Sequence, residues 1–109
     1  MKKKELTFSE KELDILRNIE SDPYQTQRKI AENLDISLGK TNYLIKALLQ
    51  KGLLKINNFK SSDNKLRYLY VLTPQGIEER RKLTTLFFQR KSEEFDKLKM
   101  EIEELKKDE

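Results

Sequence analysis

From Pro74 to Lys107 nothing in the sequence stops a helix. Gly76 falls in its first turn and no proline follows. Thr73 offers a side-chain cap, and Pro74 sits at the first helical position, which needs no backbone N–H donor. At 1.5 Å per residue such a helix spans about 50 Å. A chain of 109 residues makes one domain of ordinary size, and a body that small cannot wrap a rod of that length. Arg81, Phe88, Phe95 and Ile102 recur every seven residues, interleaved with Ile77, Thr84, Lys91, Leu98 and Leu105. This spacing predicts a coiled-coil seam, polar at Arg81, Thr84 and Lys91 and apolar toward its far end. Phe88, Phe95, Leu98, Ile102 and Leu105 are the expected dimerisation residues, because an uncovered apolar stripe is an association site. Leu83, Leu86 and Phe87 point to another side and are placed to pack on the body.

The residues before Thr73 must then build that body. Ser9 is placed to cap a first helix with Glu12 three residues on, and Phe8 and Leu13 to staple its entry. The helix is expected over Glu10 to Glu20, with Leu13, Ile15, Leu16 and Ile19 inward, and Ser21-Asp22-Pro23 ends it. A second helix, Thr26 to Leu34, carries Ile30, Ala31 and Leu34 on one face. Asp35-Ile36 connects it to a third, residues 37–51, capped by Ser37 and stopped by Gly52. Two helices across so short a turn fit a helix-turn-helix, with Ala31 small enough for a close crossing; a plain helical hairpin fits as well. The next segments decide between them. LLKINNF and LRYLYVL are strand-like and KSSDNK reads as their turn, which makes a winged helix with its wing at 59–67. Lys60, Lys65 and Arg67 are set to reach a flanking minor groove or backbone. Leu66, Tyr68, Tyr70 and Leu72 share one face of the second strand while Leu69 and Val71 share the other, so something must cover the wing base. The expected fold class is mainly α with a β-hairpin. A winged helix-turn-helix at 6–75 is followed by a long helix at 76–109.

In the third helix Thr41, Leu44, Ile45 and Leu48 form the inward stripe, which turns Lys40, Asn42, Tyr43, Lys46 and Gln50 outward. That outward face holds donors, acceptors, a ring and positive charge but no acid, as a helix lying in a nucleic-acid groove requires. Residues 1–73 carry 14 Lys and Arg against 9 Asp and Glu, a balance of +5, and residues 74–109 carry 9 against 10. A basic front half suits a polyanion partner. The absence of cysteine and histidine excludes disulfides, zinc-finger sites and imidazole catalysis. Glu78-Glu79 and Glu93-Glu94 read as solvated surface, and no glycine-rich phosphate loop occurs. No catalytic, cofactor or metal residues are expected; a small-molecule effector is left open, though nothing in the sequence indicates one. No apolar run approaches the roughly 20 residues that span a bilayer, and MKKKEL is not followed by a signal-type core. The expectation is a cytoplasmic protein without a membrane partner.

Taken together, IAENLDIS, SLGKTNYLIKALLQKGLL, the wing and LTPQG resemble the MarR family of bacterial transcriptional regulators over residues 9–77. Within it, DNKLRYLYVLTPQGIEE and RKSEEFDKLKMEIEEL look most like the small regulators associated with exopolysaccharide biosynthesis. The resemblance implies a homodimer on a pseudo-palindromic operator in double-stranded DNA, recognition helix in the major groove and wing alongside. The groove-facing positions it implies are Ser37, Lys40, Asn42, Tyr43 and Lys46. Little sequence precedes Ser9, so the N-terminal helix that many of the family add to their dimer is expected to be missing, and the wing lacks their usual run of Asp and Arg. The expected function is sequence-specific regulation of transcription, with repression by promoter occupancy the simplest form. The alternative is a winged-helix adaptor that binds protein through its long helix, and the basic, polar face of the third helix argues against it.

Overall fold

In the chain α1 covers Glu10–Ser21, α2 Gln27–Leu34, α3 Leu38–Gln50, β1 Leu54–Lys60, β2 Leu66–Leu72 and α4 Pro74–Lys107. These elements belong to a computed structural model that describes residues 10–108; the expected cap at Ser9 and staple at Phe8 lie outside the described residues. The fold is the winged helix-turn-helix expected from the pattern, mainly helical with one antiparallel hairpin. The molecule is elongated, 67 × 32 × 21 Å, because α4 runs on beyond the body.

The inward stripes of three helices meet the hairpin base in one core. Ile15, Leu16 and Ile19 of α1, Ile30 of α2, and Leu44, Ile45 and Leu48 of α3 pack with Leu53, Leu54, Tyr70 and Leu72. Each such aliphatic side chain contributes roughly 1.5–3 kcal/mol by leaving water, and cutting Leu48 to alanine would cost about 2–5 kcal/mol. Two polar ties lock the helices further. Gln25, buried between α1 and α2, donates to the Asn18 and Asp22 carbonyls at 3.0 and 2.9 Å and accepts from Asn33 at 2.7 Å. The buried Glu12 carboxylate meets Lys51 Nζ at 3.3 Å, joining the start of α1 to the end of α3.

Local chemistry sets the helix ends. Thr26, Ser37 and Thr73 each cap a helix, accepting from the N–H three residues on. Asp35 (φ 56°) and Gly52 (φ 76°) take the left-handed conformation that turns the chain out of α2 and α3. The Ile36 and Leu53 N–H groups then reach back to the Ala31 and Leu48 carbonyls at 3.1 and 3.0 Å, which closes both ends. Leu53, expected to open β1, is therefore used to finish α3, and the strand begins at Leu54.

In the hairpin Leu54 pairs with Leu72, Ile56 with Tyr70 and Lys60 with Leu66. Burial declines along it: Leu54, Tyr70 and Leu72 are in the core, whereas Leu66 and Tyr68 stand in solvent. The expected cover over the wing base is the helical body. Thr73 clamps the start of α4 to the turn after α3, donating from N to the Leu53 carbonyl at 3.1 Å and from Oγ1 to the Gly52 carbonyl at 2.6 Å. Further along, Arg80 grips the Glu20 carboxylate with two bonds of 2.6 and 3.1 Å, which hold its guanidinium still more firmly charged than usual. Leu83 and Phe87 are half-buried on the side expected to meet the body, whereas Leu86 is exposed. Beyond them the seam positions Phe88, Phe95, Leu98, Ile102 and Leu105 are all exposed in the single chain, Phe95 at 63%.

Candidate nucleic-acid interface

The outward face of α3 is aimed by its first turn. Ser37 Oγ accepts from Lys40 N at 3.0 Å, and Thr41, fully buried, returns its hydroxyl to the Ser37 carbonyl at 2.9 Å. With Thr41 fixed inward, Ser37, Lys40, Tyr43, Lys46 and Gln50 are exposed, Tyr43 at 68%. No aspartate or glutamate occurs between Asp35 and Asp63, so the surface of α3 and β1 offers cations without nearby acids on the same segment. A strip of that kind attracts a polyanion.

Asn42 differs from its expected outward position. It adjoins Thr41 and precedes Ile45 by one turn, both fully buried, and so stands on the border of the apolar stripe. Its half-buried side chain donates from Nδ2 to Gln27 Oε1 at 3.2 Å, and Gln27 Nε2 donates to the Tyr70 hydroxyl at 2.9 Å. Sequence reasoning missed Gln27 and Tyr70 as neighbours of this site, since neither spacing nor periodicity links positions 27, 42 and 70.

Lys60, Lys65 and Arg67 are exposed on the wing. Asp63 organises its tip: it accepts from Ser61 Oγ, from Lys65 N at 3.3 Å and from Arg67 Nη2 at 3.2 Å. The Ser61 hydrogen bond first, then those from Lys65 and Arg67, hold the Asp63 carboxyl below the usual carboxylate range. Asn64 takes a positive φ of 64° to close the turn, a conformation asparagine tolerates better than most residues. Arg67 is thus partly neutralised, whereas no salt bridge to Lys60 or Lys65 occurs among the described residues. Between the wing and the start of α2 lies an open groove of about 500 Å³, flanked by Tyr24 and Thr26 on one side and Arg67 and Tyr68 on the other. Tyr24 and Phe59 meet edge to face across it, ring centres 5.2 Å apart. This groove also escaped the sequence reading, because Tyr24 sits in a loop with no pattern to place it.

Among the described residues no three His, Cys, Asp or Glu side chains are grouped to hold a metal ion, and no helix is long and apolar enough to cross a membrane.

Helix, short turn, exposed basic helix and basic wing define a winged helix-turn-helix protein. Residues 8–55 match the family model described as winged helix-turn-helix DNA-binding. No curated protein matches the chain. Among solved structures it is similar to the PcaV transcriptional regulator of Streptomyces coelicolor, crystallised with its natural ligand (18% identity, TM-score 0.63, 75% of this chain and 57% of that one). It is similar to ZitR of Lactococcus lactis, a zinc-responsive MarR family member (20%, 0.65, 82% and 60%). It is also similar to S. aureus MepR in complex with DNA (20%, 0.65, 83% and 64%). At these identities the likeness is one of fold, and the chain spans less than two thirds of each of the three.

Proposed function

We propose that this protein is a MarR-type transcriptional regulator that binds double-stranded DNA as a homodimer, with no enzymatic activity. In this reading α3 enters the major groove with Ser37, Lys40, Tyr43 and Lys46 foremost, Asn42 at its edge, and Lys60, Lys65 and Arg67 of the wing on the flanking backbone or minor groove. Residues 6–75 would bind DNA and residues 76–109 would assemble the dimer through Phe88, Phe95, Leu98, Ile102 and Leu105. The observation that carries the reading is the acid-free run between Asp35 and Asp63, which leaves Lys40, Tyr43 and Lys46 exposed on one helix face. The neighbour solved with DNA and the family model's description support it. Promoter occupancy, hence repression, is the simplest action, and the wing and tail sequences fit the exopolysaccharide-associated members best.

Selection from a random duplex library tests this directly. A recovered two-fold motif is expected, with affinity falling steeply as salt rises, by a slope of about −0.9 per neutralised phosphate. Absence of duplex binding at low salt, with self-association retained, would favour the protein-adaptor reading instead.

A further inference from the structure

Resting on the DNA-binding reading above, we infer that Gln27 is a positioning residue: it ties Asn42 of α3 to Tyr70 at the wing base, so that base preference at the Asn42 position depends on a bond made at the wing. Asn42 Nδ2 donates to Gln27 Oε1 at 3.2 Å and Gln27 Nε2 donates to the Tyr70 hydroxyl at 2.9 Å. The partners come from three separate elements, 15 and 43 residues apart in sequence. The middle and one end of the chain of bonds are held. Gln27 is the first residue of α2, directly behind the Thr26 cap, and Tyr70 is only 6% exposed in the core.

A side-chain amide carries an acceptor and a donor at once, and Gln27 spends one on each neighbour. An asparagine whose N–H is held in this way keeps a fixed amide orientation. Discrimination between base pairs in the major groove depends on such fixed donor and acceptor positions, and a side chain ordered before binding loses less freedom on binding. Gln27 and Tyr70 also line the groove between α2 and the wing. A DNA strand entering that groove meets the relay itself, which links wing engagement to the orientation of Asn42.

The test has one arm without DNA and one with it. In the free protein Tyr70→Phe removes only the hydroxyl, which bonds Gln27 rather than Asn42. The NMR signals of the Asn42 side-chain NH2 group are nevertheless expected to move, as they should in Gln27→Met; unchanged signals in Tyr70→Phe overturn the relay whatever the protein binds. In library selection, Gln27→Met and Tyr70→Phe are expected to relax preference at the same one or two positions as Asn42→Ala, by about fivefold or more, leaving the other positions intact. Preference kept in Gln27→Met but lost in Asn42→Ala overturns the inference while DNA reading stands, and so does a uniform loss over all sequences. A wild-type protein that selects no motif overturns both. Should Gln27→Met fail to fold, Tyr70→Phe carries both arms.

Discussion

A methyl group on Gly76 would lie 2.0 Å from the Leu53 carbonyl oxygen and 2.9 Å from its carbonyl carbon. The first turn of α4 is thus laid directly on the backbone that leaves α3. That backbone cannot swing aside, because the same Leu53 carbonyl accepts from Thr73 N at 3.1 Å. Gly76→Ala should therefore cost about 1–3 kcal/mol or more as overpacking, against a helix-propensity gain of at most about 1 kcal/mol. Urea unfolding measures the balance, and a loss under about 0.5 kcal/mol would show that the crossing yields easily.

Gly39 is the opposite case. A Cβ there meets nothing within 4 Å, so no neighbour in the fold requires a glycine in the first turn of α3. Gly39→Ala is expected to raise stability by up to about 1 kcal/mol and, with a duplex against that turn, to weaken DNA binding. Thermal melting paired with a DNA titration checks both signs; a less stable variant would contradict the open space, and unchanged affinity would move the duplex away from the start of α3.

Phe95 and Leu98 are 63% and 55% exposed in the single chain. Replacing both with glutamate in the full-length protein should leave the unfolding of the monomer nearly unaltered while abolishing self-association. Each side chain buried in a dimer contributes roughly 1.5–3 kcal/mol before association costs. Sedimentation equilibrium decides the matter, and a variant that remained dimeric would remove the seam as the assembly element.

The depressed Asp63 carboxyl predicts where the wing tip responds to acid. A carboxylate stabilised in the fold supports it fully above its ordinary value, near 3.8, and the support is lost as pH falls through the lower folded value. The Ser61, Lys65 and Arg67 contacts should accordingly be indifferent to pH between about 5 and 8 and loosen only below about 4. Hydrogen exchange at the Lys65 amide, corrected for its intrinsic pH dependence, follows this. Loosening near neutral pH would mean that another group titrates at the wing.

What could be read in the sequence was local. Ser37, Thr73 and Gly52 announce helix ends because a cap or a left-handed turn involves neighbours within four residues. The inward stripes followed from the helical period, and all of Leu13, Ile15, Leu16 and Ile19 are buried as expected. What escaped involves partners far apart in the chain. Glu12 and Lys51 are 39 residues apart, Gln27 and Tyr70 are 43 apart, and the reason for Gly76 is a carbonyl at Leu53. Period alone puts Asn42 outward, because its inward pull comes from Gln27, a residue of another helix.

The clamp between Thr73 and the Gly52–Leu53 carbonyls has a mechanical consequence. It is followed by 34 helical residues with no internal break, so α4 acts as a lever with its short end on the exit of α3. Over a length of about 50 Å, a tilt of about 10° displaces the opposite end by roughly 9 Å. The rise between base pairs is only about 3.4 Å. In a dimer joined near Leu98 and Leu105, small angular changes at the seam would therefore shift the reading heads by two to three base pairs. The spacing of half-sites would be gauged at the tip of the tail, far from any residue that touches a base.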